Sequence, residues 1–258
     1  MDLNLTGKVA LITGGSRGLG KQCGISLARE GANVAICGRT ADTLAVTKAE
    51  LEALGAKTVT VLADVGERSD LARIHAEAVA ALGPIDILVN NVGGTKSRED
   101  ITGTSVEDFA GTFDLNLFGG YELMRLVIPH MKEQGWGRIT NIASIWGREY
   151  GGNISYMASK AGLIGATKHA AVSLGKHGIL VNSIAPGSIA HPDGSWERFQ
   201  NNNTPEDVQA FIDDNLPLGK FGWPEPVGDL VAFLSSDRSG MITGTCIPVD
   251  GGQGISMI

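Results

Sequence analysis

The sequence predicts one α/β domain over 1–258, built on a parallel sheet. Short apolar runs of strand length alternate with longer helix-forming segments from one end of the chain to the other. The first such run passes straight into a glycine-rich turn that opens a helix. With 43% apolar residues there is ample material for a core, and the 36 glycines are scattered rather than periodic, as tight turns in such a protein require.

Lys8 to Thr13 (KVALIT) reads as a buried strand, followed by Gly14-Gly15-Ser16-Arg17-Gly18-Leu19-Gly20 and a helix over roughly Leu19 to Glu30. Glycines allow a tight turn and close backbone approach to a pyrophosphate, while the helix start offers free N–H groups and a partial positive charge. Gly14, Ser16, Arg17, Gly18, Leu19 and Gly20 are therefore candidate dinucleotide contacts. Their Gly-x-x-x-Gly-x-Gly spacing differs from the G-x-G-x-x-G of longer dehydrogenases. Asn33 to Cys37 is the second strand. Beyond it, where an acidic residue would hold the ribose 2′-hydroxyl of NAD, stand Gly38, Arg39 and Thr40. Arg39 would attract a 2′-phosphate through charge-assisted hydrogen bonds, with Arg17 reaching it from the other side, so NADP(H) is preferred over NAD(H). Taken singly, either arginine reads equally well as a solvated loop residue.

Ala41 to Leu54 is a helix and Thr58 to Leu62 a strand, ending in Ala63-Asp64-Val65. Asp64 either faces an adenine or caps the helix near Arg68 to Leu82. Ile85 to Val89 is the fourth strand, followed by Asn90-Asn91-Val92-Gly93-Gly94. A helix begins at the Ser105-x-x-Asp108 capping box and continues through Asn116 toward Met131. Asn116 by itself reads as an exposed polar residue. The fifth strand starts at Arg138 and ends in Ser144, and a long helix over Ile154 to Lys176 follows. Ile179 to Ile184 is the sixth strand, leading into Ala185-Pro186-Gly187. Residues 188–203 are polar, and Thr204-Pro205 opens a further helix. A polar insert near 188–216, at a strand's C-terminal end, reads as a substrate lid. Pro226 to Leu234 is the last helix and Thr245 to Val249 the last strand.

Tyr156 and Lys160 occupy one face of the long helix, a turn apart. A free tyrosine titrates near ~10, and a neighbouring cation favours its phenolate. Bringing it to about 7 takes ~4 kcal/mol, within reach of a lysine in a low-dielectric cleft aided by a cationic nicotinamide. A proton donor near its operating pH is what carbonyl reduction needs. Taken alone, Tyr-x-x-x-Lys is more often chance on a surface helix.

Net charge is −7 with no basic stripe, which gives nucleic-acid binding little support. Cys23, Cys37 and Cys246 are odd in number, fitting a reducing cytoplasm. The N-terminus lacks a secretory pattern, no apolar run approaches membrane-spanning length, and the five histidines show no metal-ligand spacing.

With these pieces in place the chain resembles the short-chain dehydrogenase/reductase family over nearly its full length. The motifs are Thr13-Gly14-x-x-x-Gly18-x-Gly20, Asp64, Asn90-Asn91-Val92-Gly93, Asn116, Ser144, Tyr156-x-x-x-Lys160, Asn182-x-x-x-Pro186-Gly187 and Asp250-Gly251-Gly252. The resemblance implies a single-domain Rossmann fold, a seven-stranded parallel sheet with helices on both faces, and a homotetramer. It makes Tyr156 the acid/base, with Lys160 lowering its pKa and holding the nicotinamide ribose. Ser144 would bind the substrate carbonyl, and Asn116 would position a relay water. Asp64, Val65 and the Asn90, Val92, Gly93 segment would line the adenosine half, and Pro186, Gly187 and Ile189 the nicotinamide. The expected reaction is hydride transfer between NADP(H) and a small-molecule carbonyl or secondary alcohol. A 3-oxoacyl thioester leads as substrate; a sugar, polyol or cyclic alcohol, or a non-catalytic dinucleotide-binding module, are the alternatives. Lys96, Arg98, Arg125 and Arg148 are candidates for a basic entrance that receives an acidic acyl-carrier protein, and read equally well as solvated surface charges. The sequence departs from the family pattern at three places. Val92 replaces an alanine, Ser144 and Tyr156 are 12 residues apart, one fewer than is common, and His191 stands where a threonine often contacts the nicotinamide carboxamide.

Overall fold

Every residue of the first strand, Val9–Thr13 (β1), is buried, as a parallel strand covered on both faces must be. In this computed structural model, which describes residues 2–257, β1 is followed by α1 (Gly18–Arg29), β2 (Asn33–Gly38), α2 (Ala41–Ala53), β3 (Thr58–Leu62), α3 (Arg68–Leu82) and β4 (Ile87–Asn90). Then come α4 (Val106–Phe113), α5 (Gly119–Gln134), β5 (Gly137–Ile142), α6 (Ile154–Leu174) and β6 (Ile179–Pro186). The chain closes with α7 (Ser195–Asn202), α8 (Pro205–Asn215), α9 (Glu225–Leu234) and β7 (Cys246–Val249). The sheet is seven-stranded and parallel, in the order β3-β2-β1-β4-β5-β6-β7, a Rossmann-like arrangement.

Strand order reverses beside β1, which pairs with β2 on one side (Val9 opposite Asn33) and β4 on the other (Ala10 opposite Ile87). Loops leaving the C-terminal ends of β1 and β4 therefore part company and leave a crevice. Apolar side chains fill both faces of the sheet. Cys23 and Leu27 of α1, Leu44 and Leu51 of α2, and Val227 and Val231 of α9 pack on one face. Leu71 and Ile74 of α3, Leu123 and Val127 of α5, and Leu174 of α6 pack on the other.

Helix starts follow their sequence signals. The Ser105 hydroxyl accepts from the Asp108 N–H at 3.0 Å and Thr204 accepts from the Asp207 N–H at 3.2 Å. Two segments differ from the sequence expectation. The helix expected to run through Asn116 is broken by a π turn over Asp114–Phe118, and Asn116 is buried rather than exposed. Residues 188–203, read from the sequence as a polar insert with no helix assigned, contain α7. Trp196 and Phe199 lie three apart on it and pack against Phe211 of α8 and Phe221.

Candidate active site

The C-terminal ends of the strands open into a cleft of about 990 Å³. At one end lies the turn after β1. Gly14 and Gly18 have φ of 63° and 56°, the left-handed region that glycine adopts without strain, so the chain reverses tightly into α1. The start of α1 has no side-chain cap and no acidic residue in its first turn. Its free N–H groups and positive dipole end fit an anion. Gly14, Ser16, Arg17 and Leu19 line the cleft. Gly18 and Gly20 do not, and act through packing. A side chain at Gly20 would overlap the Gly14 carbonyl, so this glycine lets α1 sit directly on the turn.

Asn91, named in the sequence only as part of the Asn90-to-Gly93 motif, ties this turn to β4. Its Nδ2 donates to the Thr13 carbonyl at 2.9 Å, and its backbone N–H donates to the Thr13 hydroxyl at 2.9 Å. Asn90, expected in the cofactor site, points its side chain away from the cleft. It donates to Asn141 Oδ1 at 2.9 Å and the Gly120 carbonyl at 3.2 Å, because alternate residues at the end of a strand face opposite sides. Val92 and Gly93 line the cleft, as do Asp64 and Val65. Asp64 accepts from the Gly66 N–H at 2.9 Å, and its other oxygen lies 3.6 Å from Arg39 Nη1. It does not cap α3, whose N-cap is Glu67. Arg39 is exposed at the end of β2. Arg17 is turned elsewhere than expected: Nη1 donates to the Asp193 carbonyl at 3.2 Å, so it faces the 188–216 segment.

At the other end of the cleft, β5 delivers Ser144 and α6 delivers Tyr156 and Lys160. The Ser144 oxygen accepts from the Trp146 N–H at 3.2 Å, and Ser144 and Tyr156 line the same cleft. Trp146 presents its edge to Tyr156, with ring centroids 6.3 Å apart, and Gly151 and Gly152 lie flat on its indole. A side chain at either glycine would overlap the indole, so this packing accommodates the short Ser144–Tyr156 connection. Lys160 is 1% exposed, and Nζ donates to the Ile142 carbonyl at 2.7 Å while lying 5.7 Å from the Tyr156 ring centre.

The expected acidification of Tyr156 belongs to the nicotinamide-bound cleft. In the free chain burial raises the Tyr156 phenol above its ordinary value, opposed by the neighbouring Ser144 hydroxyl. Burial lowers Lys160 to about 8. Drawn back onto Ile142, the ammonium does not by itself acidify the phenol in the free chain.

Asn116 lies just behind the cleft. Its Oδ1 accepts from the Gly94 N–H and its Nδ2 donates to the Gly94 carbonyl, both at 2.8 Å, with a further bond from Nδ2 to Ser159 Oγ at 2.8 Å. The amide thus clamps the loop after β4 to α6. Pro186, Gly187 and Ile189 continue the wall, and Trp196, Phe199 and Arg198 close it over. His191 packs its ring on Gly18, at the start of α1. Among the four basic residues expected at the entrance, Arg98 lines the cleft. Arg125 pairs with Glu122 at 2.7 Å and Arg148 donates to the Cys246 carbonyl at 2.7 Å.

Cys37 also reaches the cleft, but burial pushes its thiol up to about 12, which leaves it protonated and a poor nucleophile. Among the described residues no three His, Cys, Asp or Glu side chains are grouped to hold a metal ion, and no helix is long and apolar enough to cross a membrane. A dinucleotide fits what the cleft offers: an uncapped helix start under a glycine turn at one end, and a phenol, a hydroxyl and an ammonium at the other.

Comparison with known proteins agrees with that fit. Residues 14–253 match a family model described as enoyl-(acyl carrier protein) reductase. The chain is 35% identical over 253 residues to the (2S)-[(R)-hydroxy(phenyl)methyl]succinyl-CoA dehydrogenase subunit BbsD of Thauera aromatica, covering 98% of this chain and 99% of that one. It is 36% identical over 252 residues to the 3-oxoacyl-[acyl-carrier-protein] reductase FabG of Thermotoga maritima, covering 97% and 99%. Its fold superimposes on L-sorbose reductase from Gluconobacter frateurii, complexed with NADPH and L-sorbose, with a TM-score of 0.92 at 30% identity over the whole of both chains.

Proposed function

The chain belongs to the short-chain dehydrogenase/reductase family of oxidoreductases, and from that premise we propose that it is an NADPH-dependent carbonyl reductase with a 3-oxoacyl thioester as substrate. The observation that carries this reading is the meeting of Tyr156, Ser144 and Lys160 in the same cleft as the uncapped start of α1. Bound there, nicotinamide supplies or accepts the hydride at the substrate carbon. Tyr156 holds the proton at its phenolic oxygen and passes it to the carbonyl oxygen. Because burial holds that phenol above its ordinary value, it stays protonated through neutral pH, the state that reduction requires. Ser144 steadies the developing charge, its oxygen oriented by the Trp146 N–H. Lys160 holds the nicotinamide ribose, and Asn116 fixes the loop that bears Gly93 and Gly94.

The thioester reading is supported by two relatives whose names specify acyl-carrier-protein or CoA esters. The likeness to L-sorbose reductase favours a sugar or polyol as the second reading. NADP(H) preference rests on Arg39, which stands where NAD-specific proteins place a carboxylate. On the same reading the chain is a cytoplasmic homotetramer. Exposed Val106 of α4, Phe118 of the π turn and Tyr121 of α5 supply apolar surface for subunit contact, and three free cysteines suit a reducing compartment.

A panel of 3-oxoacyl thioesters, ketoses and cyclic ketones, assayed with NADPH and NADH, tests this. The expected result is NADPH oxidation driven by thioesters. Dinucleotide binding without turnover on any carbonyl would leave only a binding module. Arg39→Asp is expected to move the NADPH-to-NADH preference at least tenfold toward NADH, since it puts a carboxylate where the 2′-phosphate would sit. An unchanged ratio of kcat/KM values would show that Arg39 does not read the phosphate.

A further inference from the structure

Over the glycine turn, two guanidinium groups converge on one neutral oxygen. Arg17 Nη1 donates to the Asp193 carbonyl at 3.2 Å, and Arg198 Nη1, from the first turn of α7, donates to the same oxygen at 2.5 Å. Among the described residues neither arginine has a carboxylate within ion-pair distance. Glu197, adjacent to Arg198, instead accepts from the Asp193 N–H at 2.7 Å. A carbonyl satisfies hydrogen bonds but does not neutralise charge, so two exposed cations repel one another across that oxygen. An anion with several oxygens suits two converging guanidinium groups better than a neutral carbonyl does.

The place of the cluster narrows the anion. His191 rests its ring on Gly18, the first residue of α1, and a Cβ there would lie 2.7 Å from Cε1 and Nε2. Arg17, Arg198 and His191 therefore ring the uncapped start of α1, and all three line the cleft. Arg39 lies apart from them, at the end of β2 and beside Asp64.

We propose that Arg198 is a lid-borne ligand for the dinucleotide's pyrophosphate: it exchanges the Asp193 carbonyl for a phosphate oxygen, completes a clamp with Arg17, and ties the lid to cofactor occupancy. This rests on the dinucleotide reading given above. The clamp meets an anion common to NADPH and NADH, which distinguishes it from Arg39.

Dissociation constants of the full chain for NADPH, NADH and 2′-AMP, which lacks a pyrophosphate, provide the test. Arg198→Ala is expected to weaken NADPH and NADH by a similar factor, roughly tenfold or more for a charge-assisted contact, and to leave 2′-AMP unchanged. Arg198→Lys should recover part of the loss, and an unaltered unfolding midpoint in both variants excludes a folding defect. NADPH should protect residues 188–216 from proteolysis in the wild type and not in Arg198→Ala. Unchanged dinucleotide binding in Arg198→Ala, or a loss confined to NADPH, would overturn the clamp while the cofactor reading stands. A wild-type chain that binds neither dinucleotide would remove both.

Discussion

Lys160 shows what burial does to a cation left with one hydrogen-bond acceptor. Its pKa falls from 10.5 to about 8, because removal from water penalises the charged form and the Ile142 carbonyl offers no net charge in return. The sign of the stability effect follows. Below pH 8 the folded and unfolded chains both carry the proton, and the penalty is present in full. Between pH 8 and 10.5 the folded chain releases its proton first, so stability rises with pH across that window. The shift corresponds to about 3 kcal/mol. Tyr156, with its raised pKa, acts in the opposite sense, but only above its ordinary value near ~10. Denaturant unfolding from pH 7.5 to 10 should therefore show the wild type gaining stability relative to Lys160→Met. Parallel curves would mean that Lys160 is not the group titrating near 8.

At the scale of elements, the π turn between α4 and α5 is the device that brings Asn116 inward. An ordinary helix would leave this residue on a polar face. With its extra residue the turn points the amide at Gly94, where it satisfies both backbone groups of a loop that has no strand or helix partner. Asn116→Ala leaves that N–H and that carbonyl unpaired. At about 1–3 kcal/mol for each polar group left without a partner, the melting temperature should fall by roughly 5–10 °C, with activity falling as the Gly93–Gly94 loop loosens. A shift below about 1 °C would show the clamp to be dispensable. Such a turn has no hydrophobic period of its own, which explains why 105–131 reads as one unbroken helix in the sequence. α7 was hidden for a different reason: SWERFQNN is polar, and its only helical signal is the Trp196–Phe199 pair, which gains meaning once α8 and Phe221 lie against it.

At the scale of the molecule, the sheet gathers side chains from distant parts of the chain at one edge. Strand order reverses beside β1, and the C-terminal ends of β1, β4, β5 and β6 then contribute the turn, the Asn91 brace, Ser144 and the Pro186 wall to a single cleft. Much of this was legible beforehand, because buried parallel strands read as unbroken apolar runs and the Tyr156–Lys160 pair has helical spacing. What was not legible depends on where side chains point after folding. Asn90 faces Asn141 rather than the cleft, Arg17 reaches the Asp193 carbonyl, and Lys160 bonds to the Ile142 carbonyl. None of those directions leaves a trace in residue spacing.

The central claim is that Tyr156 donates the proton to the substrate carbonyl oxygen, and it is tested most directly by Tyr156→Phe, with NADPH affinity and single-turnover reduction measured side by side. The account predicts an NADPH dissociation constant within about twofold of the wild type and a rate lower by roughly 10²–10⁴, the usual contribution of a positioned acid. Reduction at the wild-type rate in that variant would contradict it.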